Sequence, residues 1–207
     1  ARTLHKAGCT DPEHEAMHAV QPISLPGDGR SGGEVLQNAV RRVEQAEAEK
    51  TLAALSGGQL DDAYNSLLFC VQDDIDVHRV VLAWRAWATL DLTGKDQAVT
   101  LLRQSVRYCA DTEKRMRAHK YPASPIRSVL PKVFDTFKLD GKSLGTRKAD
   151  DAWIEKTSEI FFGMDRAKAA EAAAAALAEG IAPESVAEAI ALAANSLLLR
   201  DPGRPEK

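Results

Sequence analysis

Ser31-Gly32-Gly33-Glu34-Val35-Leu36-Gln37-Asn38-Ala39-Val40-Arg41-Arg42-Val43-Glu44-Gln45-Ala46-Glu47-Ala48-Glu49-Lys50-Thr51-Leu52-Ala53-Ala54-Leu55 decides the fold class. Ser31 and Glu34 have the spacing of a capping box, in which a serine side chain and a glutamate three residues on satisfy each other's backbone N–H groups. Val35, Leu36, Ala39, Val40, Val43, Ala46, Leu52 and Leu55 then recur with the 3.6-residue period of one helical face. A helix over 34–56 is expected, stopped by Gly57-Gly58. Leu60, Ala63, Tyr64, Leu67, Leu68 and Val71 predict a second helix folded back on it as a hairpin.

The same reading carries outward in both directions. Asp73-Asp74-Ile75-Asp76 interrupts the second helix and supplies caps for a third over 77–92. That helix has Val77, Val80, Val81, Trp84 and Trp87 on most faces, so it is expected to be central. Gly94 separates it from a helix over 95–118, followed by a short helix near 124–138 and a Gly/Lys/Ser connection through 148. Helical propensity predicts 151–162, Ala-rich 165–179 up to Gly180, and 184–199 opened by Pro183. Upstream, Thr10-Asp11-Pro12-Glu13 opens a helix over 11–20, and the Pro/Gly-rich text from Gln21 to Gly33 is a loop. No stretch alternates as a strand does. The expected fold is therefore all-α, an array of antiparallel helical hairpins forming an orthogonal bundle or short solenoid. Its parts would be an N-terminal helix and loop (1–33), a central helical domain (34–148) and an Ala-rich hairpin (149–207) packed on it.

Composition excludes several function classes. The 207 residues, 44% of them hydrophobic, suffice for one good core or two small ones. With 27 basic and 30 acidic residues spread along the chain, no global field draws in nucleic acid or an anionic membrane. Cys9, Cys70 and Cys109 are odd in number and far apart, which indicates neither a disulfide framework nor a zinc ribbon; Cys70 and Cys109 read as small buried apolar side chains. No apolar run reaches the ~18 residues of a membrane span and no signal-peptide pattern opens the chain, so a cytoplasmic location is expected. The chain opens on Ala1 without an initiating methionine and stops on a Pro/Gly connector, as a piece of a longer polypeptide would.

Chemistry is concentrated in His14-Glu15-Ala16-Met17-His18. Two histidines four apart share one helical face and can grip one metal ion, with Glu15 beside them as the catalytic base. A zincin extension would need glycine and histidine where Gln21 and Ser24 stand, so an oxidoreductase is favoured over a metallohydrolase. Glu15-x-x-His18 is also the unit that di-iron bundles use twice, but no second copy is present. The bland alternative is a pair of solvated or capping histidines. His78, at the start of the third helix behind Asp73, Asp74 and Asp76, is the expected third ligand, with the loop Gln21–Gly33 as lid; a hydrogen-bonded core histidine is the competing reading. A transition metal, iron or zinc, or a haem is the expected cofactor, and a small molecule the substrate. Two further candidates are the glycine-rich Gly27–Gly33 as an anion cradle and Arg103, Arg107, Lys114, Arg115, Arg117 and Lys120 as a phosphate-binding stripe, the latter against a plain solvated face. The rival function is a non-catalytic helical interaction module, with a second copy or a further domain as partner.

Leu55, Gly58, Leu67 and Leu68 align without gaps onto Leu177, Gly180, Ala189 and Ile190, an internal echo that any two glycine-hinged hairpins could produce. The text 176–194, Ala-Leu-Ala-Glu-Gly-Ile-Ala-Pro-Glu-Ser-Val-Ala-Glu-Ala-Ile-Ala-Leu-Ala-Ala, resembles the helical hairpin of the alkylhydroperoxidase-like, carboxymuconolactone decarboxylase superfamily. The Cys-x-x-Cys-x-x-x-His segment that carries that superfamily's peroxidase activity is absent. Asp62 to Cys109, with Asp-Asp-Ile-Asp-Val-His-Arg-Val-Val-Leu-Ala-Trp-Arg-Ala-Trp and Leu-Leu-Arg-Gln-Ser-Val-Arg-Tyr-Cys, resembles the histidine-bearing helical repeats of questin-oxidase-like proteins and of helical domains attached to some Rieske proteins. That resemblance implies histidines at helix starts, which fits His78 and His18, and an oxidative role dependent on a metal or cofactor.

Overall fold

The structure, a computed structural model, describes residues 20–27, 29–163 and 165–201. Of these, 72% are helical and none belongs to a strand, so the fold is all-α. Among the described residues nine α-helices follow in order: α1 (Gly32–Arg42), α2 (Gln45–Leu55), α3 (Leu60–Val71), α4 (Val77–Thr93), α5 (Ala98–Ala118), α6 (Ile126–Phe137), α7 (Asp151–Phe162), α8 (Arg166–Ala178) and α9 (Pro183–Arg200). Among the described residues no helix is long and apolar enough to cross a membrane. The chain divides into two compact units, one of the residues up to Val71 with Asp76–Pro122, the other of Gln72–Ile75 with Ala123 onward.

In the first unit the expected capping box is formed: Ser31 N–H donates to Glu34 at 2.7 Å, and Glu34 N–H to the Ser31 hydroxyl at 3.2 Å. Gly32 and Gly33 are explained by packing, since a Cβ on either would run into Leu55 or Phe69. The core is built of Leu36, Ala39, Val40, Leu52, Leu67, Cys70, Leu102, Val106 and Cys109 from α1, α2, α3 and α5, and Cys70 and Cys109 are fully buried in it.

The helix expected over 34–56 is in fact two. Val43 ends α1 at φ 66°, a left-handed conformation that a β-branched residue rarely adopts, and α2 begins at Gln45. Val43 and Glu44 return their N–H groups to Val40 and Ala39. The Arg117 guanidinium of α5 reaches the terminal carbonyls of Arg41 and Arg42, and Arg42 pairs with Glu44 and Glu47. The orphan acceptors of a helix end are thus satisfied by a side chain 75 residues away in sequence, which an uninterrupted helix would exclude.

The central position expected for 77–92 also needs correction. Only Arg79, Ala83 and Leu90 of α4 are buried, whereas Val77, Val80, Val81, Trp84 and Leu92 are exposed, Trp84 by 55%. Counting apolar residues does not reveal which stripe of a helix has a partner. Here the inward stripe is organised by Arg79, fully buried, which donates to the Cys70 carbonyl at the end of α3 (2.9 Å) and to Glu113 of α5 (2.7 Å).

In the second unit α7 packs on α9, and Ile181 and Val186 form a small core with Ala176, flanked by Trp153, Phe161 and Leu177. A strap leads into α7: Arg147 N–H donates to the Gly180 carbonyl (3.2 Å), Ala182 N–H to the Arg147 carbonyl (2.8 Å), and Ala149 N–H to Ser185 (3.1 Å). Gly145 lies so close to the Gly180 backbone that no side chain fits, and Gly180 turns the chain at φ 88°. Arg127 of α6 donates to the Asp73 carbonyl at 3.0 Å, which brings the segment 72–75 into this unit.

Breaking a buried ion pair from one side leaves an uncompensated charge, at a cost of about 3–5 kcal/mol. Arg79→Ala is accordingly expected to destabilise the first unit by that amount in chemical denaturation. The double variant Arg79→Met with Glu113→Leu should recover most of the loss. A single-variant loss below ~1 kcal/mol would contradict this account of α4.

Candidate functional site

His14, Glu15 and His18 lie outside the described residues, as does Cys9. Of the expected metal ligands the structure places His78 alone. It is the second residue of α4, where Asp76 is the N-cap: one Asp76 carboxylate oxygen accepts the His78 backbone N–H at 2.9 Å and faces ring Nδ1 at 3.1 Å. The other oxygen accepts the hydroxyl of Tyr108, from α5, at 2.7 Å. Tyr108 lies beside His78, with ring centroids 5.7 Å apart and planes tilted by 40°, and beneath the guanidinium of Arg115 at 5.8 Å. His78 therefore is not the core histidine of the competing reading, for its side chain is 68% exposed. Among the described residues no three His, Cys, Asp or Glu side chains converge as a metal site would require.

Below Tyr108 an open groove follows α5, lined by Asp111, Lys114, Arg115, Ala118 and His119, with Tyr121 stacked on His119 at 5.5 Å. Its protonation chemistry follows from the pairing. Burial would raise the pKa of Asp76, but hydrogen bonds from Tyr108, the His78 backbone and the His78 ring outweigh it and hold the carboxyl below its ordinary range. Burial, then the hydrogen bond to that carboxylate, push the Tyr108 phenol up. Both groups are displaced away from neutrality, the reverse of what proton transfer near pH 7 demands. Asp76 and Tyr108 form a latch between the start of α4 and the middle of α5, and the accessible chemistry is that of the exposed His78 ring and the cationic groove.

The basic stripe read from the sequence separates into distinct roles. Glu49 of α2, nearly buried, holds both Arg103 and Arg107, the latter at 2.6 Å, while Gln45 donates to it at 3.0 Å. Burial works against ionisation of Glu49, yet hydrogen bonds from Gln45, Arg107 and Arg103 keep its carboxyl below the ordinary value. Arg117 terminates α1, and Arg115 stacks on Tyr108. Lys114 and Arg115 line the groove. The periodicity of the sequence gave no sign of Glu49 as the partner, because the acid stands 54 residues before Arg103.

Comparison with protein-family models, with curated proteins and with solved structures returned no match.

The latch has a pH signature. Asp76 has a folded pKa below its ordinary 3.8, so its stabilisation is complete above that value and is lost as the pH falls through it toward the folded value. Asp76→Asn, which can still cap α4, should flatten the acid limb of the stability curve below about pH 4, while Asp76→Ala should cost about 1–2 kcal/mol at pH 7. Thermal melts of the three proteins between pH 3 and 7 check both; parallel acid limbs would remove Asp76 as the responsible group.

Proposed function

We propose that this chain is a non-catalytic helical interaction module built on two copies of one three-helix motif, α1–α2–α3 and α7–α8–α9. The observation that carries the reading is the recurrence of burial at positions 122 residues apart: Leu52, Ala63, Leu67 and Val71 in the first unit, Ala174, Ser185, Ala189 and Ala193 in the second, are all buried. Repeated motifs that bury a shared pattern and leave faces open are the usual construction of binding scaffolds. Open faces are present. α4 exposes Val77, Val80, Val81 and Trp84, and α9 exposes Ile190, Leu192, Leu197, Leu198 and Leu199. The polar cluster offers Asp76 and Tyr108 as a latch and no assembled acid–base pair. A photo-crosslinking amino acid at Trp84 or Leu198, introduced in cells that express the protein, is expected to give discrete adducts that are absent when it replaces Asn65. Equal labelling at all three positions would refute the module.

The second reading, a metal- or redox-cofactor-dependent part of an oxidoreductase acting on a small molecule, rests on the sequence spacing of His14, Glu15 and His18 with His78 as third ligand. It is supported by the exposure of the His78 ring and by the resemblance to questin-oxidase-like and Rieske-associated helical domains. Iron or zinc bound by these histidines would leave a coordination position for substrate or water. Elemental analysis of the purified protein is expected on this reading to find about one metal ion per chain, lost in folded His14→Ala and His18→Ala proteins. Metal retained in both variants would eliminate the assignment.

A further inference from the structure

In the first unit α5 closes the three-helix motif. It lies on α1, α2 and α3, covers Cys70 of α3 completely, and brings Arg103 and Arg107, one helical turn apart, onto Glu49 of α2. The position 122 residues after Glu49 is Glu171 of α8, and the position 122 after Cys70 is Leu192 of α9. Glu171 is exposed and Leu192 is 38% exposed. The helix that does approach α8 in the second unit, α6, packs on neither α7 nor α9, so it does not take the place that α5 occupies in the first.

We propose that the face formed by Glu171 with Leu192 and its exposed neighbour Glu188 is a docking site for an amphipathic helix of a partner protein, of the chemistry of α5: small and branched apolar residues along one stripe, and two arginines one turn apart at its edge. This rests on the reading of α1–α2–α3 and α7–α8–α9 as copies of one motif. The first unit shows what covers the face in each respect. An apolar stripe covers the α9 side, as Val106 and Cys109 join Cys70 in one core cluster. The arginines meet the glutamate on the α8 side, as Arg103 and Arg107 meet Glu49. The charge requirement makes the site selective: a helix with lysine or glutamate at the edge lacks the planar fork that engages one carboxylate with two guanidinium groups.

The test uses the full chain, isotope-labelled, and as probe a synthetic peptide of residues 95–119 carrying the α5 sequence. The expected result is saturable shifts of amide resonances confined to α8 and α9. Glu171→Arg should weaken binding at least about tenfold, and a peptide with Arg103→Glu and Arg107→Glu should regain affinity for that variant and not for the unaltered chain; a tenfold change corresponds to about 1.4 kcal/mol. Shifts in α1–α3 would mean exchange of the peptide into the first unit and would overturn the proposal, as would no binding at millimolar peptide. Concentration-dependent dimerisation through Leu192 without peptide would overturn it in favour of a second copy as occupant. The crosslinking experiment at Trp84 and Leu198 is independent of this outcome, so failure here leaves the module reading standing, whereas failure there with peptide binding intact would leave only the docking face.

Discussion

A single guanidinium organises the first unit. Taking an arginine out of water costs several kcal/mol, and the cost is offset only when its donors are matched. Arg79 is matched from two sides, by the Glu113 carboxylate of α5 and by the Cys70 carbonyl in the last turn of α3, one of the four acceptors that a helix end leaves without an internal partner. The three helices are thereby fixed at one point, and the orientation of α4 about its own axis follows. With Arg79 turned inward, Val77, Val80, Val81 and Trp84 must face away, and Asp76 arrives at the position from which it caps α4 and accepts the Tyr108 hydroxyl.

Charge does the same work elsewhere in that unit. Glu49 draws Arg103 and Arg107 of α5 onto α2, and Arg117 closes α1. The first unit therefore joins its helices by buried or half-buried ionic contacts around a Leu/Val/Cys core, which specify geometry because a shifted helix would strand a charge. The second unit is held differently. Half of its buried positions are alanine or serine, and its registration comes from backbone hydrogen bonds between the strap at Arg147 and the turn at Gly180–Ala182. Small buried side chains remove less apolar area from water than leucine or valine do, and α9 leaves Ile190, Leu192, Leu197, Leu198 and Leu199 exposed.

Much of the secondary structure was legible in the amino-acid text because its signals are local. Glycine stops, proline starts and the helical period place α4 and α6 to α9 within two residues of their expected bounds, and α5 begins three residues after its expected start. The candidate site was legible only in part. The place of His78 at a helix start behind the Asp76 cap was visible in sequence; the Tyr108 hydroxyl on that same carboxylate was not, being 32 residues from Asp76.

The sequence by itself therefore determined that the chain is all-α and where most helices begin and end, since caps, period and breakers act within a turn or two of backbone. Only the tertiary structure decided which faces are used. Val43, a residue that resists the left-handed conformation, ends α1 without any glycine or proline to announce it, because Arg117 and Glu44 reward the exposed carbonyls and side chains of a broken helix. Likewise the most apolar stripe of α4 lies outside and its arginine inside. Pairings between residues tens of positions apart have no periodic trace in the text, and the electrostatic cost of leaving any one of them unmade outweighs the local preference that the sequence displays.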